Sequence, residues 1–302
     1  MRVRLGINAG FAINRFPEPE EWLRIAGEDL GLRHAQFVAD LLSPFLPDPI
    51  IDAQIARIRA ASERLGVHIG TTFTSAFTRV NHLLHPDPGM REAWFEWWKR
   101  WIVIAARLGA TATGGHFGIL SVRDCADPQR RRERVREGVE SWKRLGEFAA
   151  GEGLAYLMFE PMSIPREMAE TIDGTAALLS EFRDGMAIPM RLCLDVDHGD
   201  VSSPDPRDTD AYEWLREFGA VSPCVHIKQS SADKSAHWPF TAENNAKGVI
   251  RPEKVLSALE QSGASDVTLL LEISHRERQP FESRVLPDLR ESVAYWRPFV
   301  PE

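Results

Sequence analysis

Several apolar runs in this sequence close on ionisable side chains: Met158-Phe159-Glu160-Pro161, Cys193-Leu194-Asp195-Val196-Asp197-His198, Val225-His226-Ile227-Lys228 and Leu270-Leu271-Glu272-Ile273. Taking such groups out of water costs free energy unless a partner compensates, so their recurrence asks for a shared ligand. Glu160, Asp195, His226 and Glu272 together supply three carboxylates and one imidazole, an oxygen-rich, hard set. Such a set suits one divalent metal in six-coordinate geometry, with Mn2+ expected first and Mg2+ or Co2+ as substitutes, and two positions left for a substrate. Closed tetrahedral zinc fits worse, because structural zinc prefers sulfur and histidine donors. Without its cation the site is expected to be strained and less stable.

The elements that must carry these residues alternate regularly. Strand-like runs fall at 3–7, 34–38, 67–72, 111–115, 155–160, 191–195, 224–228 and 268–273. Helical stretches fall at 19–30, 49–65, 88–108 and 128–152, each opened by a proline and followed by or ending near a glycine (Gly31, Gly66, Gly109 and Gly153), as helix-end chemistry prefers. Later helices are read at 172–182, 210–218, 252–262 and within 284–296. Strand and helix alternating eight times imply parallel strands, because a parallel connection needs a crossover element. A single-domain (β/α)8 TIM barrel over residues 1–302 is the expected architecture. An open doubly wound sheet fits less well, since Gly6-Ile7-Asn8-Ala9-Gly10-Phe11 stands where a G-x-G-x-x-G would follow the first strand. In a barrel of this class reactive groups sit at the C-terminal strand ends, which is where all four candidate ligands fall.

Charge and composition narrow the function classes. The net charge of −8 argues against a nucleic-acid partner, and the basic run Arg130-Arg131-Arg132 reads as a solvated helix face. The lack of a stretch of about eighteen apolar residues argues against a membrane span, and the N-terminus lacks a signal-type apolar region, so a cytoplasmic location is expected. Three widely spaced cysteines, Cys125, Cys193 and Cys224, read as reduced thiols. On the helix at 88–108, Trp94, Trp98, Trp101, Ile102, Ala105 and Leu108 recur at steps of three and four and form a stripe against the barrel. Trp97 lies off that stripe and reads as a subunit contact, in keeping with an expected homo-oligomer, a dimer or tetramer.

Glu160-Pro161, Asp195-x-x-His198, His226-x-Lys228 and Glu272 resemble the metal site of the xylose isomerase-like sugar isomerase and epimerase superfamily, especially its ketose 3-epimerases. The likeness spans nearly the whole barrel. It implies a divalent metal held by Glu160, Asp195, His226 and Glu272, with His198 contacting a substrate oxygen. Two positions depart from the ketose 3-epimerase pattern: Arg166, with Glu167 beside it, stands where a further glutamate is usual, and Ala232 stands where an arginine is usual. The stretches Leu84-His85-Pro86-Asp87-Pro88 and Gly6-Ile7-Asn8 resemble the branch that handles tetrulose phosphates, and Asn8 is assigned to substrate on that basis.

The expected chemistry is epimerisation or isomerisation of a ketose or ketose phosphate through a metal-stabilised enediolate, with Glu160 and Glu272 as base and acid. His198 would polarise a substrate oxygen, its ring oriented by Asp197 or a backbone group. Lys228, Lys234, Lys247, Arg276 and Arg278 are candidates for a substrate phosphate. The loop His237-Trp238-Pro239-Phe240 reads as a lid that places Trp238 over the site, or as simple packing, and His116 in Gly114-Gly115-His116 reads as a pocket-lining residue. An aldose–ketose isomerase, an inosose-type dehydratase and a non-catalytic sugar-binding barrel are the competing readings.

Overall fold

Parallel strands close on themselves in chain order in the computed structural model, which describes residues 1–233 and 236–301. The strands are β1 (Arg2–Asn8), β2 (His34–Val38), β3 (His68–Phe73), β4 (Ala112–His116), β5 (Tyr156–Glu160), β6 (Met190–Asp195), β7 (Cys224–Ile227) and β8 (Asp266–Leu271). Each pairs in parallel with the next, and β8 returns to β1, which makes the expected (β/α)8 TIM barrel.

The connecting helices are α1 (Pro19–Arg24), α2 (Asp48–Leu65), α3 (Pro88–Leu108), α4 (Val122–Ala126) and α5 (Pro128–Gly151). Then come α6 (Ile172–Ser180), α7 (Ala211–Phe218), α8 (Ala242–Lys247), α9 (Pro252–Gln261) and α10 (Val285–Trp296). Helix α3 has the bounds its sequence dictates: Asp87 caps Met90 N–H at the start, and Gly109 takes φ 82° at the close. The first helix differs from expectation. It stops at Arg24 and continues as a wider π-helical turn over Ile25–Asp29. Gly27 lies in that turn, where a Cβ would meet Val67 Cγ2 at 2.9 Å, so the turn packs closer than a side chain permits.

Two apolar layers hold the barrel. The larger lies between strands and helices and includes Phe37, Trp98, Trp101, Trp142 and Trp296. The smaller lies within the barrel, where Phe73, Ala112, Met158, Cys193, Cys224 and Leu270 form a plug. Cys193 therefore points into the barrel, two residues before Asp195 on the same face of β6.

Trp97 corrects the expectation of a subunit contact. It is only 2% exposed, and its ring stacks on Trp101 at 6.2 Å and meets Trp98 edge-on. The apolar face of α3 is wider than one stripe because the helix packs against its neighbours α2 and α5 as well as against the barrel.

Candidate metal centre and active site

Strand alternation and register bring the polar residues together. Side chains two apart share a face, so His226 and the residue two on, Lys228, both point inward. Asp195 pairs in register with His226 across β6 and β7, and His116 pairs with Glu160 across β4 and β5. Glu272 follows β8 by one residue, and its backbone N–H donates to Ile227 O at 3.0 Å. One donor atom each from Glu160, Asp195, His226 and Glu272 lies within 4.8 Å of every other.

His226 Nδ1 is 2.9 Å from Glu160 Oε1 and 3.5 Å from Glu272 Oε2. Lys228 Nζ donates to Asp195 Oδ2 and, at 2.6 Å, to Glu272 Oε2. His116 Nε2 approaches Glu160 Oε2 at 3.3 Å. The His198 ring turns Nδ1 toward Pro161 O at 2.9 Å, leaving Nε2 3.7 Å from Asp195 Oδ2. A carbonyl only accepts, so His198 carries a proton on Nδ1. The backbone group, not Asp197, therefore orients the ring. Asp197 instead braces the strand end: its carboxylate accepts from Ser230 Oγ, while its N–H donates to Asp195 Oδ1 at 2.7 Å.

These contacts set the electrostatics. Burial pushes the Glu160 carboxyl upward, but His226 and His116 outweigh it and hold Glu160 well below the usual range. Burial is likewise overcome at Asp195, where His198 and Lys228 keep the carboxyl low. At His226 burial opposes charge, yet Cys193, Glu272 and Glu160 raise the imidazole well above its ordinary value. Burial also works against the Lys228 ammonium, and Asp195, Glu272 and Glu160 hold it protonated. Without a cation the imidazole is thus held charged; as a ligand it would be neutral, and three carboxylates against one ammonium would then leave two negative charges. The donor set thus fits a divalent cation in charge as well as in chemistry.

Above the cluster opens a cavity of about 470 Å³, lined in part by Glu160, Glu272, His116, His198 and Asn8. Asn8, buried at its floor, donates to Gln36 Oε1 at 2.8 Å. Other candidates lie elsewhere. Lys228 has no exposed surface and spends its ammonium on Asp195 and Glu272, so it cannot meet a phosphate from the cavity. Arg276 is exposed, 5.8 Å from the Phe281 ring centroid, and does not line the cavity. Lys247 lies 5.2 Å from the Trp238 ring centroid, Arg278 is exposed on the surface, and Lys234 falls outside the described residues. Trp238 bridges its backbone to Gln229 and packs, so the residue its loop gives to the cavity is His237, which Lys228 and then burial push down to about 4.

Sequence reasoning passed over Arg15, Arg79 and Gln36. Arg15 and Arg79 line the cavity on the β1 and β3 loops. Arg79 pairs with Glu167 at 2.5 Å, which gives that acid a structural partner. Gln36 was findable: it is a buried polar residue between the apolar Ala35 and Phe37 of β2, and it lies on the inward face.

The chain matches the family described as xylose isomerase-like TIM barrel over residues 26–298. It is 40% identical over 301 residues, 99% of this chain and 97% of that protein, to the D-erythrulose 1-phosphate 3-epimerase of Brucella abortus (strain 2308). A crystal structure from Rhodospirillum rubrum ATCC 11170, provisionally named a xylose isomerase, matches with TM-score 0.89 and 27% identity over 99% of this chain and 100% of that one. A D-psicose 3-epimerase crystallised with D-fructose matches in fold with TM-score 0.73 and 16% identity, over 99% of this chain and 100% of that one. The chain belongs to the xylose isomerase-like TIM barrel family, and within it is an enzyme of the isomerase and epimerase class.

Proposed function

We propose that this protein is a divalent-metal-dependent 3-epimerase of a short ketose phosphate, erythrulose 1-phosphate, interconverting its D and L forms. The observation that carries the reading is the four-donor cluster at the floor of an open cavity, with two glutamates at its edges. The relative that is 40% identical over nearly the whole chain supports the choice of substrate.

Glu160, Asp195, His226 and Glu272 would hold the cation, Mn2+ by the hardness of the set. Bound there, it would supply Lewis-acid stabilisation to charge developing on the substrate oxygens. The chain's own residues would do the rest. One glutamate removes the C3 proton, and the other returns a proton on the opposite face. His116 and His226 hold Glu160, and Lys228 holds Glu272, so each carboxylate has a fixed direction of approach. His198 meets a substrate oxygen through Nε2, accepting from a hydroxyl when neutral and donating when protonated. Arg15 and Arg79 are the residues proposed for the phosphate, in place of Lys228 and Arg276. Arg15 is already steered by Glu282 at 3.0 Å and the His275 carbonyl at 2.9 Å.

The test is NMR in deuterated water with Mn2+, using free and phosphorylated C4 to C6 ketoses. Erythrulose 1-phosphate should gain deuterium at C3 and yield both enantiomers. Turnover with unchanged C3 proton signals would sink the enediolate route, an aldose product would make the protein an isomerase, and loss of water would make it a dehydratase. Binding with no turnover of any sugar would leave only a sugar-binding barrel.

A further inference from the structure

Behind the carboxylates runs a line of buried amides whose polarity is fixed from one end. Asn8 Oδ1 accepts from the Gly10 backbone N–H at 2.8 Å. A backbone N–H can only donate, so the Asn8 side chain must turn its Nδ2 the other way, where Gln36 Oε1 lies at 2.8 Å. An amide nitrogen there needs an acceptor, which fixes the orientation of Gln36 in turn and leaves its Nε2 to donate to Thr71 Oγ1 at 3.2 Å. The same Gln36 Oε1 lies 2.7 Å from His226 Nε2. An oxygen already accepting from Asn8 has only lone pairs to offer, so His226 must carry a hydrogen on Nε2. Cys193 Sγ, 3.4 Å from the same nitrogen, is compatible as a weak acceptor. Gln36 and His226 have no exposed surface and Asn8 is 2% exposed, so water does not compete for these bonds.

We propose that Gln36, oriented by Asn8, is a positioning residue that locks His226 into the Nε2–H tautomer and so presents Nδ1 to a divalent cation. Nδ1 is the nitrogen that faces Glu160 and Glu272; without a cation it donates to Glu160 Oε1, and a bound cation would replace that hydrogen while Gln36 keeps the one on Nε2. The alternative tautomer would put a hydrogen where the ligand lone pair must be. The strength of the device lies in its origin: a peptide N–H beyond β1 sets the polarity of two amides, and through them that of the imidazole on β7. Outer partners that hold a ligating imidazole in this way typically change metal affinity by 10- to 100-fold.

The inference rests on the metal reading above, and the experiment separates the two. Mn2+ binding is measured by calorimetry on the purified full chain, for wild type, Gln36→Met and Gln36→Glu. Methionine keeps the volume and removes the acceptor, whereas glutamate keeps it. Gln36→Met is expected to bind Mn2+ roughly 10- to 100-fold more weakly, and Gln36→Glu at least as tightly as wild type. In parallel, the ring nitrogens of 15N-labelled wild-type protein loaded with Mg2+ should report His226 with hydrogen on Nε2 and none on Nδ1, a readout that stands even if Gln36→Met fails to fold. A wild-type affinity in Gln36→Met, an equal loss in Gln36→Glu, or hydrogen on Nδ1 of the loaded protein would each overturn the proposal. A wild type that binds neither Mn2+ nor Mg2+ would remove the metal reading and this inference with it.

Discussion

Glu160 and Glu272 are chemically alike but held differently. Glu160 is almost fully buried and bound by two imidazoles, whereas the side chain of Glu272 is a quarter exposed and bound by an ammonium. The two faces of a substrate plane between them would meet carboxylates of different hydration, as an acid and a base require. Replacing either with glutamine should lower kcat by about 10²- to 10⁴-fold, the usual worth of a general acid or base. A variant that turns over at near wild-type rate would remove that residue from proton transfer. Lys228 carries a different prediction. Its loss would leave Asp195 and Glu272 facing one another without their cation, so Lys228→Met should destabilise the chelator-treated protein by about 3–5 kcal/mol in urea unfolding. Added Mn2+ should restore part of that loss. An unchanged urea midpoint would mean that the ammonium does not compensate the cluster.

At the scale of elements, the loop after β3 and the helix α3 decide how firmly the site is framed. Asp40 accepts from Phe77 N–H at 2.7 Å and Thr78 N–H at 3.2 Å, and the Arg79–Glu167 pair ties the same loop to the one following β5. Arg79→Ala should therefore raise KM for the phosphorylated ketose far more than for its free sugar, and an equal rise for both would place the phosphate elsewhere. Behind β2, Trp101 of α3 stacks on Phe37, the neighbour of Gln36. Trp101→Ala should cost about 3–5 kcal/mol as a large buried truncation, read from the urea midpoint. Its ring lies on the outer side of the strand that carries Gln36, so weaker Mn2+ binding should accompany the loss of stability.

The whole molecule should respond to metal and to acid through the same cluster. A cation that binds only the folded chain at 100 times its Kd adds about 2.7 kcal/mol, so Mn2+ should raise the melting temperature and a chelator should lower it. Coincident melting curves with and without the metal would count against binding. For pH the sign follows from the carboxyls. Glu160 and Asp195 sit below their unfolded values in the folded chain, so their stabilisation is present above pH about 4 and is lost as pH falls through the lower, folded range. The chelator-treated protein should hold its urea midpoint down to about pH 5 and lose it steeply below pH 4. A midpoint that falls evenly from neutrality would point to histidines instead. Among the described residues, no helix is long and apolar enough to cross a membrane.

The sequence by itself determined the alternation of strands and helices, because proline, glycine and hydrophobic period are local signals, and it determined which strand ends bear Glu160, Asp195, His226 and Glu272. It could not say which side of α3 was covered, since Trp97 and Trp98 are equally apolar and only packing on both sides of the helix decides that both are buried. Nor could it separate Lys228 from Arg276: one lysine two residues past His226 shares its inward face, and the arginine beyond β8 does not, a difference of strand parity and loop direction. Arg15 and Arg79 reach the cavity from loops whose paths no local pattern encodes. The relay through Asn8, Gln36 and His226 joins residues from β1, β2 and β7, with Gln36 and His226 190 positions apart, and closure of the barrel is what makes them neighbours.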